Sequence, residues 1–195
     1  MMVRRGKRDL AMTAIARRES SLPLDNHGMQ TSDATPALTR LFSELTDGTD
    51  AGAAGPAGFV LNTGDVGLLR SLDRLSAADA SQSTNGGATI AAHAQHLRYG
   101  LSLMNRWATE GGDPFADAAW DEAWKTAAVD DSGWTAIRNG LSEETHRWLQ
   151  ALGSRLAVND VEFTGVIASI AHLAYHLGAI RQINKDARGP REGTF

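Results

Sequence analysis

In four long stretches of this 195-residue chain, apolar side chains recur at steps of three and four. That period leaves helices as the way its core is built. The first stretch follows Thr35-Pro36, a capping residue ahead of a proline suited to the first helical position. It carries Leu38, Leu41, Phe42 and Leu45 on one face and ends at Asp47-Gly48. Asn85-Gly86-Gly87 breaks the chain before a second helix, Ala88 to about Thr109, striped by Ile90, Ala94, Leu97, Leu101, Met104 and Ala108. A third, about Asp131 to Leu152, turns Trp134, Ile137, Leu141, Trp148, Leu149 and Leu152 inward. Gly153 and Asn159-Asp160 separate it from a last helix, Phe163 to Asn184.

The connections add less. Gly52 to Gly67 is rich in Gly and Ala but lacks the ending of a phosphate loop, so it carries no nucleotide claim. Val66 to Ala78 predicts one short helix through Leu68, Leu69, Leu72 and Leu75, and the Trp-rich link Phe115 to Trp124 suits another. Many Leu and Ala against few Val, Ile and Tyr agree with an all-α chain. The expected architecture is a four-helix bundle over residues 34–186 with extra short helices in the connections. Residues 1–33 read as a flexible tail, or as sequence ahead of a start at Met12 or Met29, and residues 187–195 as a fraying end.

Charge and composition exclude several functions. The first 20 residues hold six cationic against two acidic side chains, while the whole chain carries −4, so the acidic excess lies in the body. Such a body repels a nucleic-acid backbone, and no nucleic-acid partner is expected. The absence of cysteine removes disulfides, thiolate zinc sites and a cysteine nucleophile, leaving His and carboxylates as metal ligands. No apolar run approaches the roughly 20 residues of a membrane span and no secretory h-region follows the basic start, so the expected compartment is the cytoplasm. The surplus of Trp between Trp107 and Trp148 suits either an interface in a homodimer or a substrate pocket.

The chemistry lies in the histidines. In SIAHLAYHLGAIRQI, Ser169 to Ile183, His172 and His176 stand one turn apart. With Ser169 and Ile183 they form a stripe beside the apolar one of Val166, Ile170, Leu173, Leu177 and Ile180. The spacing alone is compatible with two satisfied core histidines. The second helix, however, supplies His93 and His96 in AAHAQHLRYG, and imidazole fills a core poorly unless both its nitrogens find partners. Two helices presenting paired histidines point to a three-histidine divalent-metal site with an open position, the third ligand being His93 or His96. Leu173 stands where a zincin has its catalytic Glu, and Glu143-Glu144-Thr145-His146 supplies only one of the two Glu-x-x-His pairs of a di-iron site. His146 is expected on a solvated face, and His27 belongs to the tail.

The run TIAAHAQHLRYGL, Thr89 to Leu101, followed about 75 residues later by AHLAYHLGAIRQI, resembles the DinB-like superfamily of metal-binding four-helix bundles. The resemblance covers roughly Thr35 to Ile183 and is specific at the two histidine motifs. It implies metal ligation by His96, flanked by the motif positions Thr89, Ile90 and Leu97, and by His172 and His176. His93 becomes a neighbour of the site and the alternative third ligand. Ala179 departs from the family pattern, which has Gln after Gly178. The three-histidine donor set suits zinc, nickel or another divalent metal; by resemblance the activity is metal-dependent transfer of a low-molecular-weight thiol, and the partner a small-molecule thiol or other small substrate. The alternatives are a hydrolase using metal-bound water, with His93 the one histidine left as base, and a stress-linked metal-binding bundle without turnover. Arg98, Tyr99 and Arg181 are candidate contacts to a polar substrate.

Overall fold

The computed structural model describes residues 31–49, 58–154 and 159–190, which form seven α-helices and one 3-10 helix, with no strand among the described residues. Four helices are long: α1 (Thr31–Asp47), α4 (Ile90–Glu110), α6 (Asp131–Ser154) and α7 (Asp160–Ile183). Three are short: α2 (Gly67–Asp73), α3 (Ala77–Ala80) and α5 (Trp120–Ala123). The 3-10 turn Lys185–Ala187 follows α7. Helices α4 and α1 each pack against both α6 and α7. One apolar core runs between them, built from the expected stripes: Phe42 and Leu45 of α1, Leu97 and Leu101 of α4, Leu141 and Trp148 of α6, Leu173 and Ile180 of α7.

Several helix boundaries have a local cause. Thr89 caps α4 by accepting the Ala92 N–H, and Asn159 caps α7 by accepting the Glu162 N–H. The break before α4 is a left-handed turn, with φ of 53° at Asn85 and 71° at Gly86. Gly48 ends α1 with φ of 87°, where a Cβ would lie 2.1 Å from the Asp65 carbonyl oxygen, so only glycine lets the two backbone segments meet.

Several boundaries differ from the sequence expectation. Helix α1 begins at Thr31, with Pro36 inside it instead of at its start. The proline φ is already helical, and the missing N–H deprives only one first-turn carbonyl of its donor. Instead of one helix over Val66 to Ala78 there are two, because Ser76 opens a capping box. Its Oγ accepts the Asp79 N–H at 3.1 Å, and the Asp79 carboxylate accepts the Ser76 N–H at 3.0 Å. Only Trp120–Ala123 of the Phe115 to Trp124 link is helical, and α7 starts three residues before Phe163 because Asn159 is its cap. The described residues after Lys185 pack on the fold: Ala187 is fully buried, its carbonyl accepting from Arg181 Nε, and Arg188 Nε donates to the Arg181 carbonyl. Residues 1–30, with His27, and residues 52–57 of the Gly52 to Gly67 connection lie outside the described residues.

Helix α7 also corrects the expectation that no segment reaches a membrane span. Its 24 residues, with mean hydropathy 1.4 over the best window, meet that measure by length and composition. No charge falls between Glu162 and Arg181, and counting uninterrupted apolar runs hid this. The core helix of a water-surrounded fold passes the same test, and α7 packs its inner face on α1 and α4.

Polar groups tie the elements together. Trp134 Nε1 donates to the Leu75 carbonyl at 2.8 Å and Trp148 Nε1 to Ser169 Oγ at 3.0 Å, so both buried indoles are satisfied. Glu44 accepts the backbone N–H groups of Phe59, Val60 and Leu61 at 2.9, 2.7 and 2.7 Å, pinning that segment on α1. Burial raises the Glu44 pKa, but the three N–H groups and the Arg40 charge together more than reverse that and lower it. Glu44→Ala leaves three N–H groups without their acceptor. It should cost about 2 to 3 kcal/mol in urea unfolding, whereas Glu44→Gln, which keeps one amide oxygen, should cost less.

Candidate metal centre

Helix register brings the four histidines of α4 and α7 together. The Thr89 cap fixes the start of α4, so that His93 and His96 leave the same face in consecutive turns toward His172 and His176. His176 is 1% exposed, His93 and His96 are buried, and His172 is half-buried. Three of the rings meet tip to tip. His172 Nε2 lies 2.9 Å from His176 Nε2 and 3.1 Å from His96 Nε2. One donor nitrogen from each of His96, His172 and His176 falls within 4.8 Å of the others, and this group can hold a metal ion.

The donor set fits a metal better than hydrogen bonding alone. A neutral imidazole carries one N–H, and His172 Nε2 faces two nitrogens of the same kind with at most one proton to share. Nitrogens at 2.0–2.1 Å around a tetrahedral ion are separated by about 3.3 Å, close to the two short separations here. A cation at that point satisfies all three lone pairs at once.

Burial keeps those lone pairs free. Desolvation, then the neighbouring His172 and His93, push His96 down to about 4. Desolvation, then His172, His93 and His96, push His176 down to about 3. Desolvation also lowers His93 and His172. All four rings are therefore neutral near pH 7 and able to ligate.

The structure separates His93 from the other three. Its Nδ1 lies 2.8 Å from His176 Nδ1, on the side of the His176 ring away from the cluster. With His176 Nδ1–H donating to His93 Nδ1, the His176 Nε2 lone pair is turned to the centre, the tautomer that outer partners of metal-bound imidazoles fix. His96 has no such partner, since its Nδ1 is buried without a hydrogen bond. Aromatic rings hold it instead. Trp124 stacks on His96 with centroids 4.1 Å apart and 22° between planes, and Trp120 lies at 5.4 Å. Trp124 also meets His93 edge-on at 5.4 Å and His176 at 5.7 Å.

The sequence marked the link around α5 as Trp-rich without tying Trp120 or Trp124 to the histidines. Their role depends on how the link folds back, which Tyr99 governs by accepting the Ala119 N–H at 2.8 Å and standing edge-on to Trp120. The candidate substrate contacts are engaged elsewhere. Arg181 pairs with buried Asp65 at 2.7 Å, and Arg98 lies across Gly140, where a Cβ would meet its Nε at 2.3 Å. His146 is exposed beside Ser142, on a solvated face as expected. No protein-family model, curated protein or solved structure matches this chain, so the chemistry of the centre rests on its own geometry.

Single replacement of His96, His172 or His176 by Ala should abolish stoichiometric metal binding in an equilibrium titration. His93→Ala should retain one site, weakened about 10- to 100-fold by loss of the outer hydrogen bond. The metal-free protein should respond to acid in a definite window. The His96 and His176 values lie below the ordinary 6.5, so the unfolded chain binds protons that the native state refuses. Its melting temperature should be flat with respect to these groups above pH 6.5 and fall progressively as the pH drops toward 4.

Proposed function

We propose that this chain is a divalent-metal-binding four-helix bundle of the DinB-like type that transfers a low-molecular-weight thiol to an electrophile. The observation that carries the proposal is the meeting of the His96, His172 and His176 nitrogens with no carboxylate among them. Four long helices around one core, with paired imidazoles facing each other from α4 and α7, are in keeping with that architecture. A donor set of three neutral nitrogens suits zinc or nickel and discriminates against magnesium and calcium, which take oxygen ligands.

A metal bound there supplies Lewis acidity that lowers the pKa of a thiol or water in the remaining position. The residues of the chain do the rest. Burial holds the imidazoles neutral, His93 orients His176, and Trp124 orients His96 while shielding one side of the centre from water. In the transfer, the thiol sulfur forms a bond to an electrophilic carbon. The bond from that carbon to its leaving group breaks with the electron pair, and the thiol proton passes to solvent. Hydrolysis would instead need a base beside the centre. His93 is the residue available, and its Nδ1 is already committed to His176, which favours transfer.

Protein purified without a histidine tag and reconstituted should hold about one equivalent of zinc or nickel per chain. Less than about a tenth of an equivalent would remove the metal reading altogether. With metal present, conjugation of an electrophile by a panel of thiols (bacillithiol, mycothiol, glutathione, coenzyme A) should be followed before and after chelation. Turnover that needs both metal and one thiol supports transfer. Product release from esters or amides without thiol would assign hydrolysis, and a loaded but inert protein would be a binding bundle.

A further inference from the structure

An apolar cavity of about 360 Å³ lies against His172, between α4, α7 and the segment that leads into α5. Its α4 wall is Leu97, Leu101 and Met104, and its outer wall is Phe115 and Trp120, whose rings stack at 5.9 Å with 30° between planes. Among the described residues no charged side chain lines it. Its one hydroxyl is spent, since Ser169 Oγ donates to the Val166 carbonyl at 2.7 Å and accepts from Trp148 Nε1 at 3.0 Å. His172 Nε2 is turned to the other imidazoles. A sugar, a nucleotide or a charged headgroup placed here would lose its water and find little beyond His172 Nδ1, 3.9 Å from a Cβ at Gly100, to replace it.

Two glycines keep the space open. A Cβ at Gly100 would point between His172 Cε1, at 3.6 Å, and Trp120 Cζ3, at 3.9 Å, so any longer side chain there would occupy the cavity beside the imidazole. Gly165 does the same from α7, where a Cβ would meet only Met104 Cε at 3.8 Å. Phe115 is 47% exposed and Ala168 is exposed, so the cavity reaches the surface along an apolar path. A dry cavity of roughly 150 Å³ accepts benzene, so this one has room for about two fused rings.

We infer that this cavity binds an uncharged molecule through an aromatic or branched hydrocarbon group and holds it against His172. Resting on the function proposed above, that molecule is the electrophile that receives the thiol. The contribution is burial of apolar surface and ring stacking on Trp120, with orientation set by the narrow side at Gly100.

Indole, which is uncharged, aromatic and soluble, is the probe, with glucose as the polar control, each followed by isothermal titration against metal-loaded and chelated protein. Saturable indole binding at one site is expected in both forms, with none for glucose. Gly100→Leu and Gly165→Leu fill the cavity from opposite walls, and each should weaken indole binding about tenfold or more while leaving metal content unchanged. If either variant fails to fold, the other decides, and the wild-type titration stands by itself. Absence of saturable indole binding, or binding equal in wild type and in a folded variant, would overturn the inference. Metal content is read in the same samples. Indole binding by protein that takes up no metal on reconstitution would therefore count against the proposed function and leave the cavity intact, and metal uptake without indole binding would do the reverse.

Discussion

The arrangement of this chain turns on burying three imidazoles, and half-burying a fourth, without a counter-charge. His93, His96, His172 and His176 lie close to one another in a largely apolar interior, and no carboxylate stands among the grouped donors to stabilise a protonated ring. Burial and mutual repulsion leave neutral rings as the stable form. Neutral rings still have lone pairs and N–H groups that water no longer satisfies. Three of those lone pairs point at one place, so much of the polar cost of the interior is concentrated where one cation can offset it.

The supports around the centre follow from this. A cluster shared by two helices keeps its geometry only if their register is fixed, and the Thr89 and Asn159 caps define where α4 and α7 begin. Trp148, donating to Ser169, holds α6 on α7 one turn before His172. The rings are then oriented in two ways. His176 is set by its hydrogen bond to His93 outside the cluster, and His96 by the face of Trp124. The second device is less directional, which makes the α5 link part of the site although it supplies no ligand.

Much of the long-helix core was legible in sequence, because residues such as Leu97, Leu141 and Leu173 repeat with the helical period and their burial follows from it. The paired histidines were legible for the same reason. What escaped was local chemistry and tertiary placement. The Ser76 and Asp79 capping box divides a run whose apolar pattern continues across it, and Pro36 looks like a helix start although the helix begins earlier. His93 and His96 share one face at a three-residue step, so spacing alone could not assign their roles. Only the position of α7 shows that His93 meets the far nitrogen of His176 while His96 meets the tip of His172. Trp124 carried no signal beyond its type, because its contact with His96 depends on how the link folds back.

The charge balance of the centre narrows what its remaining position would accept. A divalent ion on three neutral imidazoles keeps its full charge, and low-dielectric surroundings strengthen its attraction for an anion. Carboxylate-rich sites neutralise the ion with their own ligands and so weaken that attraction. Here the missing negative charge has to come from the ligand, which favours groups such as thiols and water that can lose a proton on binding. The cavity beside His172 has the opposite character, with no charge and no free hydroxyl in its lining. On the function proposed above, a centre that favours an anion next to a space that rejects charge would serve two different reactants, a nucleophile and an apolar electrophile. Hydrolysis of a polar substrate would leave that apolar space without a use.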